Sequence, residues 1–344
     1  MSLTYRDKRR LQRAGLVGLV ALLVGILVWF CWVIWLERYV VYSREGATLD
    51  FGVSDTLSVG QIATPPVEGE TVPIYINEGS DAINVSTELV QINGYFIDSE
   101  MLETDVNTAR DLIATLPSGT AVMVELKTIW GKFHYSSDLT DAVLSNANTN
   151  AVDSLITDIT SRNLYAIAMV PAFRDRNYGL NHVSAGLAIP KKGYLWVDDQ
   201  KCYWLDPTDS ETITWLRQIV EELKSLGFDE VMFTEFRIPD TQNIELSGDR
   251  TEIINNAAAK LVSACATDNF ALSFMAADAG FKLPEGRARQ YMDNVGAKNV
   301  ASVAAGLQLA DPKINLVVMA TTNDTRFNEY SVLRPIAMAA TGEN

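Results

Sequence analysis

The chain has 344 residues, 48% of them apolar, with 28 Lys and Arg against 43 Asp and Glu and a formal charge of −15, the composition of a folded protein and not of a disordered one. Five basic residues fall in the first 13, so the remainder carries 23 positive against 42 negative groups, and a net −19 excludes the basic footprint that nucleic-acid binding requires. Three Cys exclude a disulfide scaffold, leaving only Cys202 and Cys265 able to pair, and two His, His134 and His182, leave little room for imidazole chemistry; no metal or cofactor is expected.

Residues 1–13 read as a basic cytoplasmic tail. From Ala14 to Leu36 run 23 residues without a charge; as a helix about 34 Å long they would cross a hydrocarbon core of roughly 30 Å with some tilt. A cleavable signal peptide would have a shorter apolar core ending at small residues, whereas this run ends in Trp35-Leu36-Glu37-Arg38, so an uncleaved anchor in the lipid bilayer is predicted. The basic residues before it hold the N-terminus inside and place the rest of the chain outside the cell membrane. Trp29, Trp32 and Trp35 suit the outer headgroup region. Ala14, Gly18, Ala21 and Gly25 share a helical face that would let two anchors approach as a homodimer. Residues 37–82, with Pro65, Pro66 and Pro73, read as a stalk with short strands, one of them Val72 to Asn77.

Residues 83–344 alternate two kinds of segment. Apolar runs suited to buried strands are Ile92–Ile97, Ala121–Leu126, Leu164–Pro171, Glu230–Phe236, Ala271–Ala276, Ala301–Leu307 and Ile314–Ala320. Between most of them lie amphipathic helices. Val152, Leu155, Ile156 and Ile159 repeat at helical spacing, as do Ile213, Leu216, Val220, Leu223 and Leu226, the second set opened by a Thr208/Glu211 capping pattern and closed by Gly227. Such alternation means a parallel α/β sheet, and about 250 residues of it fit a TIM-like (β/α)8 barrel, irregular or incomplete because only seven strands are clear. The eighth is expected from the stalk or from Leu333–Ala339, and Gln308–Lys313 is too short to hold a helix.

Barrel chemistry sits at the C-terminal strand ends. Asp98 follows the first strand, Glu125 ends the second, Glu235 ends the fourth and Asp278 follows the fifth. Glu125, Glu235 and Asp278 are thereby the candidate catalytic carboxylates of a glycoside hydrolysis, which needs an acid paired with a base or nucleophile. A competing reading makes Glu235 and Arg237 a structural ion pair. Trp130, Trp196 and Trp204, with several Phe and Tyr, fall in the segments after the second and third strands; flat rings beside carboxylates suit a polyol with an apolar face. No G-x-S-x-G, S-x-x-K, H-E-x-x-H or phosphate-loop motif occurs.

At these residues the chain resembles the glycosyl hydrolase domain family distantly similar to alpha-amylase and alpha-galactosidase barrels. Ile92-Asn93-Gly94-Tyr95-Phe96 resembles its opening strand, Glu125 to Tyr135 its D-x-K-x-x-x-G-x-x-x-Y stretch, and Tyr203-Trp204-Leu205-Asp206-Pro207 its W-x-D-P turn. Leu226 to Pro239 resembles its L-G-F-D-E-x-x-F-D-Y-x-R-F-P. The resemblance implies a polysaccharide or oligosaccharide ligand, with Lys127, Trp130, Tyr203, Trp204, Asp206 and Arg237 among the substrate-binding residues. It also shows a departure: Thr234 stands where the family's expected nucleophilic aspartate would be, and Glu235 lies one residue on, facing the opposite side of the strand unless the strand end twists. Three readings result. One is a membrane-anchored, extracytoplasmic glycosidase acting on a polysaccharide of the cell envelope; the second is an inactive relative serving as a carbohydrate-binding or scaffold module; the third is an assembly partner working through the anchor and stalk.

Overall fold

Runs that are apolar on both strand faces are buried on both faces, and here they close on themselves. The computed structural model describes residues 40–43, 46–49, 88–276 and 280–341. Eight parallel strands form a closed barrel in sequence order: β1 (Asn93–Ile97), β2 (Ala121–Glu125), β3 (Tyr165–Pro171), β4 (Glu230–Thr234), β5 (Ala271–Phe274), β6 (Gln290–Met292), β7 (Leu316–Met319) and β8 (Ser331–Pro335). The ring is closed by β8 on β1, with Val332 opposite Asn93 and Arg334 opposite Tyr95. Its slimmest seam is β5 on β6, through Gln290 and Phe274. Alternate residues divide between two cores: Ala121, Met123, Ile167, Met169 and Met232 fill the barrel, while Val122, Val124, Ala168, Val231 and Phe233 pack under the helices. Gly94 belongs to this packing, since a Cβ there would lie 1.8 Å from the Ala121 carbonyl oxygen.

The outer layer is α1 (Ser99–Thr104), α2 (Val106–Ala114), α3 (Thr149–Thr160), α4 (Arg176–Asn181), α5 (Ser210–Ser225), α6 (Arg250–Cys265), α7 (Val300–Gly306) and α8 (Pro312–Asn315). The predicted stripe Val152, Leu155, Ile156 and Ile159 is the buried face of α3. Helix α5 ends as expected, with Gly227 at φ +94°, but its N-cap is Asp209, whose carboxylate accepts from the Glu211 and Thr212 amides. Thr208 is instead held in a turn by Asp206.

Three expectations are corrected. Ala301–Leu307 is not a strand but helix α7, because Ala favours helix and Val300 and Ala304 bury at i, i+4 spacing. The missing strand is β6, only three residues long and opening on a glutamine, and the last strand starts at Ser331, two residues ahead of the predicted Leu333–Ala339. Part of Gln308–Lys313 does enter a helix, since Pro312 opens the single turn of α8. Cys202 and Cys265 are both buried and free, so no disulfide joins them. The barrel is complete but irregular: β7 reaches β8 through a 3-10 turn, Thr325–Glu329, in place of a full helix.

At the N-terminal end the barrel is plugged by polar side chains. Glu230 accepts from the Tyr165 hydroxyl at 2.9 Å and the Tyr291 hydroxyl at 2.8 Å, and is ion-paired with Arg289, both partners fully buried. Arg289 also donates to the Val90 carbonyl at 2.8 Å.

The chain divides between Ser80 and Asp81. Of the first part the described portion is an antiparallel pair, Val40–Ser43 with Gly46–Leu49. The predicted anchor at 14–36, the Val72–Asn77 strand and Asp278 lie outside the described residues. Among the described residues no helix is long and apolar enough to cross a membrane.

Candidate functional site

The segments that follow β1, β2 and β3, together with Glu125 at the end of β2, line a cleft of about 920 Å³. Its first wall is α1. Asp98, directly after β1, caps that helix by accepting from the Met101 amide at 2.9 Å, and Glu125 at the end of β2 accepts from the Ser99 amide at 2.9 Å. Two carboxylates are thus fixed beside one helix start. The second wall is the turn after β2, closed by the Gly131 amide on the Thr128 carbonyl at 2.9 Å, which presents Trp130 to the cleft with 45% of its surface exposed. Gly131 has φ +73°, and a Cβ there would meet the Asp175 carboxylate at 2.2 Å. The third wall is α4, contributing Arg176, Asn177 and Leu180.

Asp175 ties these walls together. Its carboxylate pairs with the Lys127 ammonium at 2.6 Å, with both side chains almost wholly buried, and also caps α4 by accepting from the Tyr178 amide at 2.9 Å. The Arg176 amide then donates to the Ile129 carbonyl at 3.1 Å. Lys127 therefore positions the turn that carries Trp130, and has no surface with which to meet a substrate.

Glu235 lies elsewhere. It follows β4 at φ +50°, and its carboxylate accepts from Arg174 at 2.9 Å and from Arg237 at 3.1 Å. Arg174 also pairs with Asp198 at 2.6 Å, and Asp198 accepts from the Trp204 indole at 3.0 Å. Both guanidinium groups lie over the Trp204 ring, at 5.6 and 4.8 Å from its centre. Against the burial that would lower it, the Arg174 guanidinium is held above its ordinary range by Glu235 and Asp198. Thr234 shares the alternation of Met232, which faces the barrel interior, so its hydroxyl belongs to the inner face of β4, and the alternation ends there, since Glu235 turns to φ +50°.

Of the residues predicted for the site, Glu125 and Trp130 meet in one cleft, and Asp98 joins them. Glu235 does not line that cleft. Trp204 is 2% exposed and serves as the platform of the arginine pair, Arg237 is turned onto Glu235, and Asp206 is occupied by the Thr208 amide and hydroxyl. Tyr203 is half-buried, its carbonyl accepting from the Asp175 amide at 3.1 Å. Sequence reasoning missed Arg174, Asp175, Arg176 and Asn177; the signal was four consecutive polar residues just beyond the third strand, where barrel chemistry is built.

A second cluster steadies α4 from behind. The two ring nitrogens of His182 face Asp141 at 3.1 Å and Glu211 at 2.6 Å, and the ring stacks on Tyr178 at 4.1 Å, itself stacked on Trp215 at 4.5 Å. A neutral imidazole has one N–H, so bonding both carboxylates requires the imidazolium. Burial opposes that charge, but the hydrogen bonds to Asp141 and Glu211 outweigh it and raise the His182 pKa above its ordinary 6.5. Because the folded-state value is the raised one, the contribution to stability is complete below 6.5 and disappears as pH climbs through the folded-state value. Urea midpoints measured across that interval should fall with pH for the wild type, and His182→Gln should remove this part of the slope; equal slopes would contradict the assignment.

Residues 103–275 match the model of a family described as "Putative glycosyl hydrolase domain". No curated protein matches the sequence. Among solved structures, a hypothetical protein from Ruminiclostridium thermocellum ATCC 27405 is 22% identical, covering 53% of this chain and 96% of its own, with a TM-score of 0.45. The GH36 alpha-galactosidase AgaA from Geobacillus stearothermophilus is 12% identical over 75% of this chain and 40% of its own, TM-score 0.49. The alpha-galactosidase TtGalA from Thermus thermophilus, in complex with stachyose, is 13% identical over 72% and 62%, TM-score 0.46. This chain spans less than two thirds of either galactosidase.

Proposed function

This chain belongs to that family of glycosyl hydrolase domains, and from that premise we propose that it binds a polysaccharide or oligosaccharide at the barrel mouth and does not hydrolyse it through Glu235. The observation that carries this reading is the state of β4. Its inner face ends in Thr234, whose hydroxyl cannot stabilise an oxocarbenium-like transition state as a carboxylate does, and the neighbouring Glu235 is already neutralised by Arg174 and Arg237. Binding has better support. Trp130 is exposed beside Asp98 and Glu125, which offers a sugar an apolar ring face and hydroxyl acceptors in one cleft.

The setting we propose is the outer face of a cell membrane. The uncharged run from Ala14 to Leu36 behind a basic tail supports a single-pass anchor with the N-terminus in the cytoplasm, residues 37–82 as the stalk and residues 83–344 as the displayed domain. An envelope polysaccharide is then the ligand within reach, and the small residues of the anchor support its pairing as a homodimer. Protease added outside intact cells should remove the domain while a tag at Met1 stays protected; a protected domain would contradict this placement.

A further inference from the structure

A second pocket, of about 450 Å³, opens through the outer wall of the barrel where β7 and β8 are joined by a 3-10 turn instead of a helix. On β8 Leu333 packs inside the barrel, so the next residue, Arg334, projects outward into this wall beside Asn93 and Tyr95 of β1. Arg334 is only 9% exposed. Its guanidinium meets neutral oxygens: Asn328 Oδ1 at 2.7 Å, and the Asn93 side chain and Thr322 carbonyl at 3.4 Å each. No carboxylate of a described residue pairs with it, and no acidic residue is among those lining the pocket, in a chain where acidic residues far outnumber basic ones. Two other enclosed arginines, Arg289 buried and Arg174 partly buried, differ. Arg174 and Arg289 are held above the ordinary guanidinium range, against their burial, by Glu235 and Asp198 and by Glu230, whereas burial pulls Arg334 below it. A buried cation without a counterion is costly, and buried charges are as a rule paired.

We propose that this pocket binds an oxyanion, the carboxylate, phosphate or sulfate group of a small polar molecule, with Arg334 as the counter-charge. The planar guanidinium presents paired N–H donors suited to such a group. Thr325 adds a hydroxyl, the Thr120 hydroxyl being already donated to the Pro117 carbonyl at 2.8 Å, while Tyr95, Pro117 and Met338 form a less polar wall. The volume falls within the range of small-molecule sites, so the anionic group can carry a body about the size of a monosaccharide. No residue lining this pocket lines the barrel-mouth cleft, so the inference stands independently of the function proposed there.

The test is calorimetric titration and thermal melting of the full chain with inorganic phosphate, sulfate, glucuronate and glucose 6-phosphate, against glucose and against chloride at equal ionic strength. At least one oxyanion should bind saturably and raise the melting temperature where glucose and chloride do not, and comparing glucuronate with glucose 6-phosphate identifies which group is preferred. Asn328→Asp places a carboxylate on Arg334 from within; it should raise the melting temperature of the unliganded protein and weaken anion binding by roughly 10- to 100-fold. Arg334→Gln should abolish binding, and Asn328→Asp carries the test if that variant does not fold. Oxyanions that do no more than chloride, or an Asn328→Asp protein that binds them as well as the wild type, would overturn the proposal.

Discussion

Replacing Asp175 by Ala is expected to destabilise the protein by about 3–5 kcal/mol and to abolish ligand binding at the barrel mouth. The magnitude is that of removing one partner from a buried ion pair, which leaves the other charge uncompensated. Lys127 and Asp175 are at 0% and 1% side-chain exposure, so no water replaces the lost carboxylate. The same substitution removes the cap of α4 at Tyr178 and the weaker bond from the Trp215 indole at 3.4 Å. Because α4 carries Arg176, Asn177 and Leu180 into the cleft, and the Trp130 turn is pinned through Lys127, both walls lose their support at once. Adding Lys127→Met should recover part of the stability, since it removes the stranded ammonium, without recovering the helix cap. Urea denaturation followed by tryptophan fluorescence measures both variants; a loss under about 1 kcal/mol for Asp175→Ala would show that the pair does not organise the site.

Glu230→Leu should cost a similar amount, about 3–5 kcal/mol, but leave ligand affinity unchanged in the folded fraction. Glu230 holds Arg289, Tyr165 and Tyr291 inside the barrel at its N-terminal end. Without it a fully buried guanidinium and two phenols lose their common acceptor. The separation from the cleft is the point of the comparison: the residue opens β4, whereas the cleft gathers the segments that follow β1 to β3. Burial first, and then Glu230, holds the Tyr291 hydroxyl well above its usual range, so alkaline titration should leave this phenol protonated until the protein unfolds. A shift in ligand affinity as large as that of Asp175→Ala would mean that the two ends of the barrel are not energetically separate.

How much of this was legible in the sequence depended on where the signal was stored. Strands β1 to β5 announced themselves because each is a run buried on both faces, and the third helix because its stripe has a period near 3.6. Strand β6 did not, because three residues between Arg289 and Asp293 carry no pattern. A short run of Ala and Val such as Ala301–Leu307 fits either period, and helix propensity decided it. The same division holds at the site. Glu125 and Trp130 could be read because they sit at or just beyond a strand end. The pairing of Glu235 with Arg237, two residues on, could also be read, but its pairing with Arg174 could not, because Arg174 is 61 residues away and is linked in turn to Asp198, 24 residues after it. Only the folded barrel shows that this carboxylate is already spent on two guanidinium groups.

The most direct test of the central claim is to measure binding and turnover of envelope oligosaccharides by the same purified full chain, wild type beside Trp130→Ala, Glu235→Gln and Glu125→Gln. The account predicts saturable binding by the wild type, loss of most of that affinity with Trp130→Ala, and no release of new reducing ends by any of the four proteins. Glycosidic cleavage by the wild type that vanishes with Glu235→Gln would contradict it, for it would mean that the carboxylate bound by Arg174 and Arg237 is freed to act on the substrate.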